Sequence, residues 1–249
     1  MNTPPHPNDL LHALPARIRE HWVGQGRVLQ LRAGQLLSDM GAMTGNVYFP
    51  LTAVLAWVSW LSDGACSAIA LIGPEGMIGE EHMRGMGHHL MVLCAGEVLE
   101  VPAHVIAADE KISAEVHTLC TDNLHSLMAQ ASQTAICNQH HGLQQRLSRF
   151  LHSVFERTDA DTLYITHEQM ADLLGTRRER ISHVASLLQQ LGVIRYARGC
   201  LTVTDKHRLL EQVCECCGAM QRPRRLATGG WPTSPLSTPA PSGFGWRNA

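Results

Sequence analysis

Apolar residues recur every three or four positions in residues 165–191, and Gly175 divides them into two short runs. Thr166 and Gln169, at the start of the first run, have the spacing of a capping box, in which each side chain bonds the other residue's backbone N–H. A glycine directly after an apolar run is a common helix terminator. The pattern therefore predicts two short helices joined by a tight turn at Gly175.

The second predicted helix is amphipathic. Thr176 is expected to be its N-cap with Glu179 as capping partner, and Gly192 is expected to end it. The opposite face from the apolar stripe carries Glu179 and His183, four positions apart, with Arg178 beside them in the first turn. The stripe itself is expected to be buried, and it consists of Ile181, Val184, Ala185, Leu188 and Leu191.

Three arginines, Arg177, Arg178 and Arg180, cluster at the start of this second helix. Cations there oppose the positive end of the helix dipole, at a cost of up to about 1 kcal/mol each, so phosphate is the expected partner. A merely solvated charge cluster is the alternative. We predict a DNA-binding helix-turn-helix whose second helix contacts base edges. The predicted DNA-contacting residues are Thr176, Arg177, Arg178, Glu179, Arg180, Ser182, His183 and Arg198.

A hairpin is predicted directly after the two helices. Residues 193–196 and 200–203 are rich in β-forming side chains and flank the turn sequence Ala197-Arg198-Gly199. Such a hairpin would form a wing with a basic tip, from which Arg198 can reach a phosphate.

Short β-rich runs alternate with glycine-containing turns through the first half of the chain, which indicates a sandwich or jelly roll. The clearest predicted strands are residues 47–49, 54–61, 67–72 and 97–101. A long helix is predicted next, over residues 115–135, because apolar residues again recur at spacings of three and four. We expect this helix to form a dimer through Val116, Leu119, Cys120, Asn123, Leu127 and Ala131.

Residues 165–205 resemble the winged helix-turn-helix of the cyclic AMP receptor protein and FNR (Crp/Fnr) family of bacterial transcription regulators. The resemblance implies an α+β fold with an N-terminal β-roll sensor domain, a dimerisation helix and a C-terminal winged helix-turn-helix. It also implies that Arg178, Glu179 and His183 occupy the base-contacting positions. His183 departs from the arginine that the family has there. The implied segments are an N-terminal extension (residues 1–27), the β-roll sensor domain (28–110), the dimerisation helix (111–140), the winged helix-turn-helix (141–217) and a disordered tail (218–249).

Residues 76–101 resemble the family's phosphate-binding cassette, which implies an effector pocket at Gly79, Glu80 and Arg84. The arginine and serine that neutralise a cyclic phosphate in the family fall on Met86-Gly87, which offers neither a charge nor a hydroxyl. A buried phosphate without a cation is costly, so no cyclic nucleotide is expected. Because no cysteine precedes Cys66, the N-terminal cysteine cluster of iron–sulfur relatives is absent from the sequence.

Histidine and cysteine residues raise the question of a metal or haem, and we expect neither. Adjacent histidines on a strand, such as His88 and His89, point to opposite faces. Cys137, Asn138 and His140 are expected to have a structural role where the long helix ends. Three cysteines follow the wing, at Cys214, Cys216 and Cys217. Three thiol ligands alone do not complete a tetrahedral metal site.

The remaining expectations come from composition. The 249-residue chain has a formal net charge of −2, so its basic surface must be local, and no apolar run is long enough to cross a bilayer. We expect a cytoplasmic, non-enzymatic homodimer that binds an operator in double-stranded DNA, with RNA polymerase as a further partner and no membrane partner. Two alternatives stay open: an effector-independent repressor of the same fold, and a metal-dependent jelly-roll enzyme.

Overall fold

A computed structural model of the chain describes residues 7–37, 45–79 and 88–217. Two short helices come first, α1 (Asp9–Ala13) and α2 (Ala16–Gln25). The Asn8 side chain caps α1 by accepting from the backbone N–H groups of Leu10 and Leu11. The same side chain donates to the carbonyl of Pro50, 2.9 Å away, which ties the N-terminal segment to the sheet behind it.

Among the described residues, seven strands form the roll that the sequence predicts, and they pair in two antiparallel sheets. One sheet has the order β1-β7-β2-β5 and the other the order β4-β3-β6. All four strands predicted from alternation and apolar runs are confirmed. The strands are β1 (Arg27–Leu31), β2 (Asn46–Pro50), β3 (Val54–Trp60), β4 (Cys66–Ile72), β5 (Ile78–Gly79), β6 (His88–Cys94) and β7 (Gly96–Pro102).

The second half of the chain is mainly helical and ends in a small sheet. The predicted long helix is present as α4, and the two predicted short helices are present as α6 and α7. The elements are α3 (Ala103–Glu110), α4 (Ala114–His140), α5 (Leu143–Phe155), β8 (Thr162–Tyr164), α6 (His167–Leu173), α7 (Arg178–Gln190), β9 (Ile194–Ala197), β10 (Cys200–Val203) and α8 (Lys206–Glu211). Strand β8 was not predicted, and it pairs with β10 to complete a three-stranded sheet.

The helical half packs against the β4-β3-β6 sheet of its own roll. One continuous apolar core contains Val58 and Leu93 of that sheet together with Phe150 of α5 and Leu173 of α6. An ion pair crosses the same boundary. Arg157 Nε, just after α5, lies 2.6 Å from Oε1 of Glu75, in the turn that follows β4. The apolar core and this ion pair hold the helix-turn-helix against the roll.

One face of α4 also packs against the roll, which corrects part of the predicted dimer interface. Asn123 accepts from the backbone N–H of Met77 at 3.1 Å and donates to its carbonyl at 2.9 Å. Val116 and Leu127 are buried in apolar clusters of the same chain. Hydrophobic spacing identifies a buried face but not the partner that buries it.

The other predicted interface residues lie partly or wholly on this same side. Leu119 and Cys120 pack against the apolar cluster beside the N-terminal helices, whereas Ala131 is half-buried on the flank of α4. Within the described ranges, α4 and the other helices are too short or too polar to cross a membrane.

Candidate DNA-binding site

Helix α6 begins and ends as its sequence predicts. Thr166 Oγ1 accepts from the backbone N–H of Gln169 at 3.1 Å, and the Gln169 side chain accepts from the backbone N–H of Thr166 at 2.9 Å. Gly175 follows with a φ of 58°, a left-handed conformation that glycine adopts without steric cost. The N–H of Thr176 then bonds the carbonyl of Ala171 at 2.9 Å, which closes the turn between the two helices.

Helix α7 begins one residue later than expected. Its N-cap is Arg177, which makes no side-chain capping bond, so the predicted capping role of Thr176 is wrong. The reason is that Thr176 still belongs to the turn that terminates α6. Its hydroxyl is buried and has no hydrogen-bond partner among the described residues. The start of α7 is therefore without a side-chain cap, and its first backbone N–H groups are available to an anion.

The buried stripe of α7 orients its other face toward solvent. Four of the five predicted stripe residues are buried, whereas the fifth, Leu191, is 47% exposed at the C-cap. The polar face opposite this stripe, with the N-cap, is exposed and carries the predicted base- and phosphate-contacting side chains. We call these residues the α7 basic surface: Arg177, Arg178, Glu179, Arg180 and His183.

Within the α7 basic surface, Arg178 is only loosely held. Its Nε lies 3.9 Å from Glu168 Oε2, and the two side chains are 63% and 67% exposed. An ion pair of this length and exposure contributes little stability, so the guanidinium is free to exchange partners. The exposed guanidinium can therefore present two N–H groups to a planar acceptor.

His167, which was not among the predicted site residues, contacts both α7 and the wing. The Ser182 hydroxyl donates to the Arg178 carbonyl at 3.1 Å and contacts His167 Nδ1 at 2.9 Å. The His167 ring also stacks on Tyr196 of β9, with centroids 4.2 Å apart. Burial, and secondarily the charge of Arg178, lowers the pKa of His167. The lowered pKa favours the neutral imidazole. His167 thus links α6 to α7 and the wing, and the Ser182 hydroxyl that was predicted to contact DNA is engaged within the protein.

The wing has a two-residue turn at its tip. Ala197 pairs with Cys200, and between them Arg198 and Gly199 have φ values of 49° and 77°. Positive φ at both central positions is typical of a type I′ hairpin turn. The Arg198 side chain is exposed at the tip. The wing is fixed to α7 because the Tyr196 N–H donates to the Gln189 side chain at 2.9 Å.

Most of the predicted effector pocket lies outside the described residues. Gly79 is described: it is buried at the end of β5, where it pairs with Val47. Glu80 and Arg84 lie outside the described residues, as do Met86-Gly87 and the predicted tail.

A cluster of cysteine and histidine side chains lies on the side of the DNA-binding domain next to α4. Cys137, His141, Cys214 and Cys216 each place one potential ligand atom within 4.8 Å of the others. Along the chain these residues form two pairs, one at the end of α4 and one after α8, and Cys137 and Cys214 are 77 positions apart. The structure brings them together.

Comparison with known proteins agrees with this geometry. Residues 145–212 match the model of the Crp-like helix-turn-helix domain. No curated protein sequence matches the chain.

Solved structures resemble the larger part of the chain. A Crp/Fnr-family transcriptional regulator from Eubacterium rectale is 19% identical with a TM-score of 0.63, and the match covers 82% of this chain and 96% of that one. FixK2 from Bradyrhizobium japonicum is 17% identical with a TM-score of 0.62, covering 76% and 98%. The c-di-GMP responsive global regulator CLP from Xanthomonas campestris is 14% identical with a TM-score of 0.61, covering 77% and 100%.

The chain therefore carries a DNA-binding domain of the Crp-like helix-turn-helix family within the fold of Crp/Fnr transcription regulators. The domain match is confined to residues 145–212, whereas the likeness in fold extends over most of the chain. The Crp-like helix-turn-helix match at residues 145–212 favours a DNA-binding protein over the metal-dependent jelly-roll enzyme.

Proposed function

We propose that the chain is a homodimeric, sequence-specific transcription regulator that reads its operator with α7. The observation that carries the proposal is the exposure of Arg178 and Glu179 opposite the buried stripe of a helix that belongs to a Crp-like helix-turn-helix domain. A DNA-binding regulator acts where the DNA is, and the expected cytoplasmic location is part of this proposal.

Base reading and phosphate contact fall to different residues of the site. Arg178 donates to guanine O6 and N7, and Glu179 accepts from a cytosine amino group. Arg177, Arg180 and the wing-tip Arg198 contact phosphates together with the uncapped start of α7. The shorter side chain of His183 replaces the arginine of the family, so the third base contact differs from that of the cyclic AMP receptor protein.

The dimer forms, in this proposal, through the exposed side of α4 rather than through the face that packs on the roll. Leu124 and Met128 are 39% and 59% exposed, and Thr121, Ala131 and Ala135 follow the same stripe at helical spacing. Leucine and methionine exposed side by side on a long helix are a surface that a second copy can bury. A two-fold axis along this stripe would present two recognition helices about 34 Å apart, one turn of DNA.

Control by an effector is supported by the way the domains pack. The helix-turn-helix shares its apolar core with the β4-β3-β6 sheet, so a ligand that shifts this sheet has a direct path to the DNA-binding domain. We propose that an unidentified effector acts in the roll and that RNA polymerase is contacted by the DNA-bound dimer. The effector-independent repressor is the alternative, and it predicts the same operator with no small-molecule response.

Selection of bound duplexes from a random DNA pool tests the proposal. The full chain should enrich a near-palindrome with half-sites about 10 base pairs apart, centre to centre. Sedimentation of the protein–DNA complex should give two chains per duplex. A variant with alanine at 177, 178 and 180 is the matched control, and enrichment of the same sequence by this variant would contradict the proposal.

A further inference from the structure

Four soft-metal ligands converge where α4 ends. Cys137 lies in the last turn of α4, and His141 follows one helical turn later as its C-cap. Cys214 and Cys216 approach from the segment after α8, at the other end of the DNA-binding domain. The three cysteines form a small buried cluster of their own. Each of the two segments supplies two ligands, which is the arrangement of paired ligands that structural zinc sites use.

The distances between ligand atoms are those of a site for one ion. Cys137 Sγ lies 3.6 Å from Cys214 Sγ, and Cys216 Sγ lies 3.4 Å from His141 Nδ1. Zinc–sulfur bonds of about 2.3 Å at tetrahedral angles place two sulfurs about 3.8 Å apart, and a sulfur and a nitrogen about 3.6 Å apart. All four atoms lie within 4.8 Å of one another. An iron–sulfur cluster would need a wider spacing, because its own iron and sulfide atoms lie between the protein ligands.

A second contact orients the histidine for metal binding. His141 Nε2 lies 3.2 Å from Glu215 Oε1, while the other ring nitrogen, Nδ1, faces Cys216. A carboxylate that accepts a hydrogen bond from Nε2–H favours the tautomer in which Nδ1 has a free lone pair. Carboxylate–histidine–metal arrangements of this kind are the usual second layer of zinc sites.

Charge is also balanced at this position. A zinc ion with three thiolates and one neutral imidazole has a net charge of −1. The side chain of Arg149, buried in α5, supplies a positive charge that acts on Cys137. A buried anionic metal site with a nearby buried cation avoids the cost of an unpaired charge.

From these contacts we propose that Cys137, His141, Cys214 and Cys216 bind one zinc ion that joins the end of α4 to the segment after α8. This site removes the reason for expecting no metal, which was that three neighbouring thiols do not complete a tetrahedron. The fourth ligand comes from another part of the chain, and Cys217 is left outside the set. Because its two halves bracket residues 143–211, the ion fixes the DNA-binding domain to the long helix.

Metal analysis of the untagged full chain, purified under reducing conditions, tests the proposal. We expect about one zinc per chain. Cys137→Ser, Cys214→Ser and His141→Ala should lose most of it, whereas His141→Cys should retain it because four cysteines also bind zinc. Cys217→Ser is the matched control, since it removes a buried thiol next to the site and should keep full zinc occupancy. Glu215→Gln should weaken zinc binding roughly 10-fold, the lower end for a second-layer partner, because this carboxylate is exposed.

Cobalt(II) keeps the test decisive if a ligand variant fails to fold. Wild-type protein stripped of metal and titrated with cobalt(II) should show visible bands of a tetrahedral ion and near-ultraviolet thiolate-to-cobalt bands, and Cys217→Ser should give the same spectrum. Several results would overturn the proposal. They are wild-type chain with neither zinc nor such a spectrum, iron with acid-labile sulfide, a Cys137–Cys214 disulfide that persists in metal-free protein after treatment with a reductant, and equal zinc loss in Cys217→Ser and Cys214→Ser.

Discussion

Arg178 is the residue whose loss should change sequence preference. Its guanidinium is exposed and held only by a 3.9 Å contact with Glu168, so it can make a bidentate contact with guanine at little cost. Arg178→Ala should weaken binding to the selected operator by about 1–3 kcal/mol and relax preference at one base pair. Titration of single-base operator variants measures both effects. Unchanged affinity and unchanged preference would show that α7 is not the reading helix in the proposed sense.

Arg198 should behave differently because a phosphate carries no base information. The informative change is Arg198→Asn, since asparagine tolerates the positive φ of 49° at this turn, so the turn is kept while the charged side chain is removed. Affinity should fall by a similar factor for all sequences, and the slope of log affinity against log salt should become shallower by about 1. Binding isotherms at two salt concentrations check this result. A base-specific loss would assign the wing to sequence reading instead.

His167 makes the stability of the DNA-binding domain depend on pH. Its folded-state pKa is lowered from 6.5, first by burial and then by Arg178, so the unfolded chain binds more protons near that pH. The free energy of unfolding should therefore fall as the pH drops below about 6.5, down to the folded-state pKa. His167→Phe keeps a ring against Tyr196 and removes the titration. Urea unfolding at several pH values should show a weaker acid dependence in this variant, and an unchanged dependence would exclude His167 as its source.

At the scale of elements, the exposed stripe of α4 makes a prediction about assembly. Met128→Asp places a charge in the proposed dimer contact, whereas Ala129→Asp places the same charge one residue farther, about a third of a turn away. We expect Met128→Asp to sediment as a monomer and Ala129→Asp to remain dimeric. Since both positions are exposed, neither change should unfold the chain. A dimeric Met128→Asp would mean that subunits meet elsewhere.

The elements that could be predicted from sequence are those determined by neighbouring residues. The capping box at Thr166 and Gln169 and the glycine terminator at Gly175 act within a few positions, and the structure has both. The sequence predicts Thr176 as the N-cap of α7, whereas the N-cap is Arg177, because the turn that ends α6 uses the N–H of Thr176.

What could not be predicted depends on contacts between distant segments. The spacing along α4 predicts that Asn123 and Leu127 are buried. It does not predict that the roll of the same chain buries them. The contact between His167 and Tyr196 and the approach of Cys214 to Cys137 are likewise results of the tertiary fold. A Cys-x-x-x-His pair and a Cys-x-Cys pair in one chain are the available sequence signal for the second of these contacts.

At the scale of the whole molecule, the roll and the DNA-binding domain form one packed unit, which limits how an effector can act. The ion pair between Glu75 and Arg157 and the shared apolar core cross the boundary between the two domains. A ligand must bind more tightly to one arrangement of this boundary than to another in order to change DNA affinity. An effector that acts on this boundary from the roll, as proposed, would be selected by the chemistry of the roll.

That chemistry leads us to expect that cyclic AMP does not act as the effector. Met86-Gly87 stands where the family has the arginine and serine that neutralise the phosphate. Burying a phosphate without a cation would cost several kcal/mol, more than ribose contacts from Glu80 can offset. Calorimetry with cyclic AMP and cyclic GMP should show no binding by protein that still binds its selected operator. Micromolar binding that Arg84→Ala abolishes would show instead that Arg84 neutralises the phosphate from two positions away.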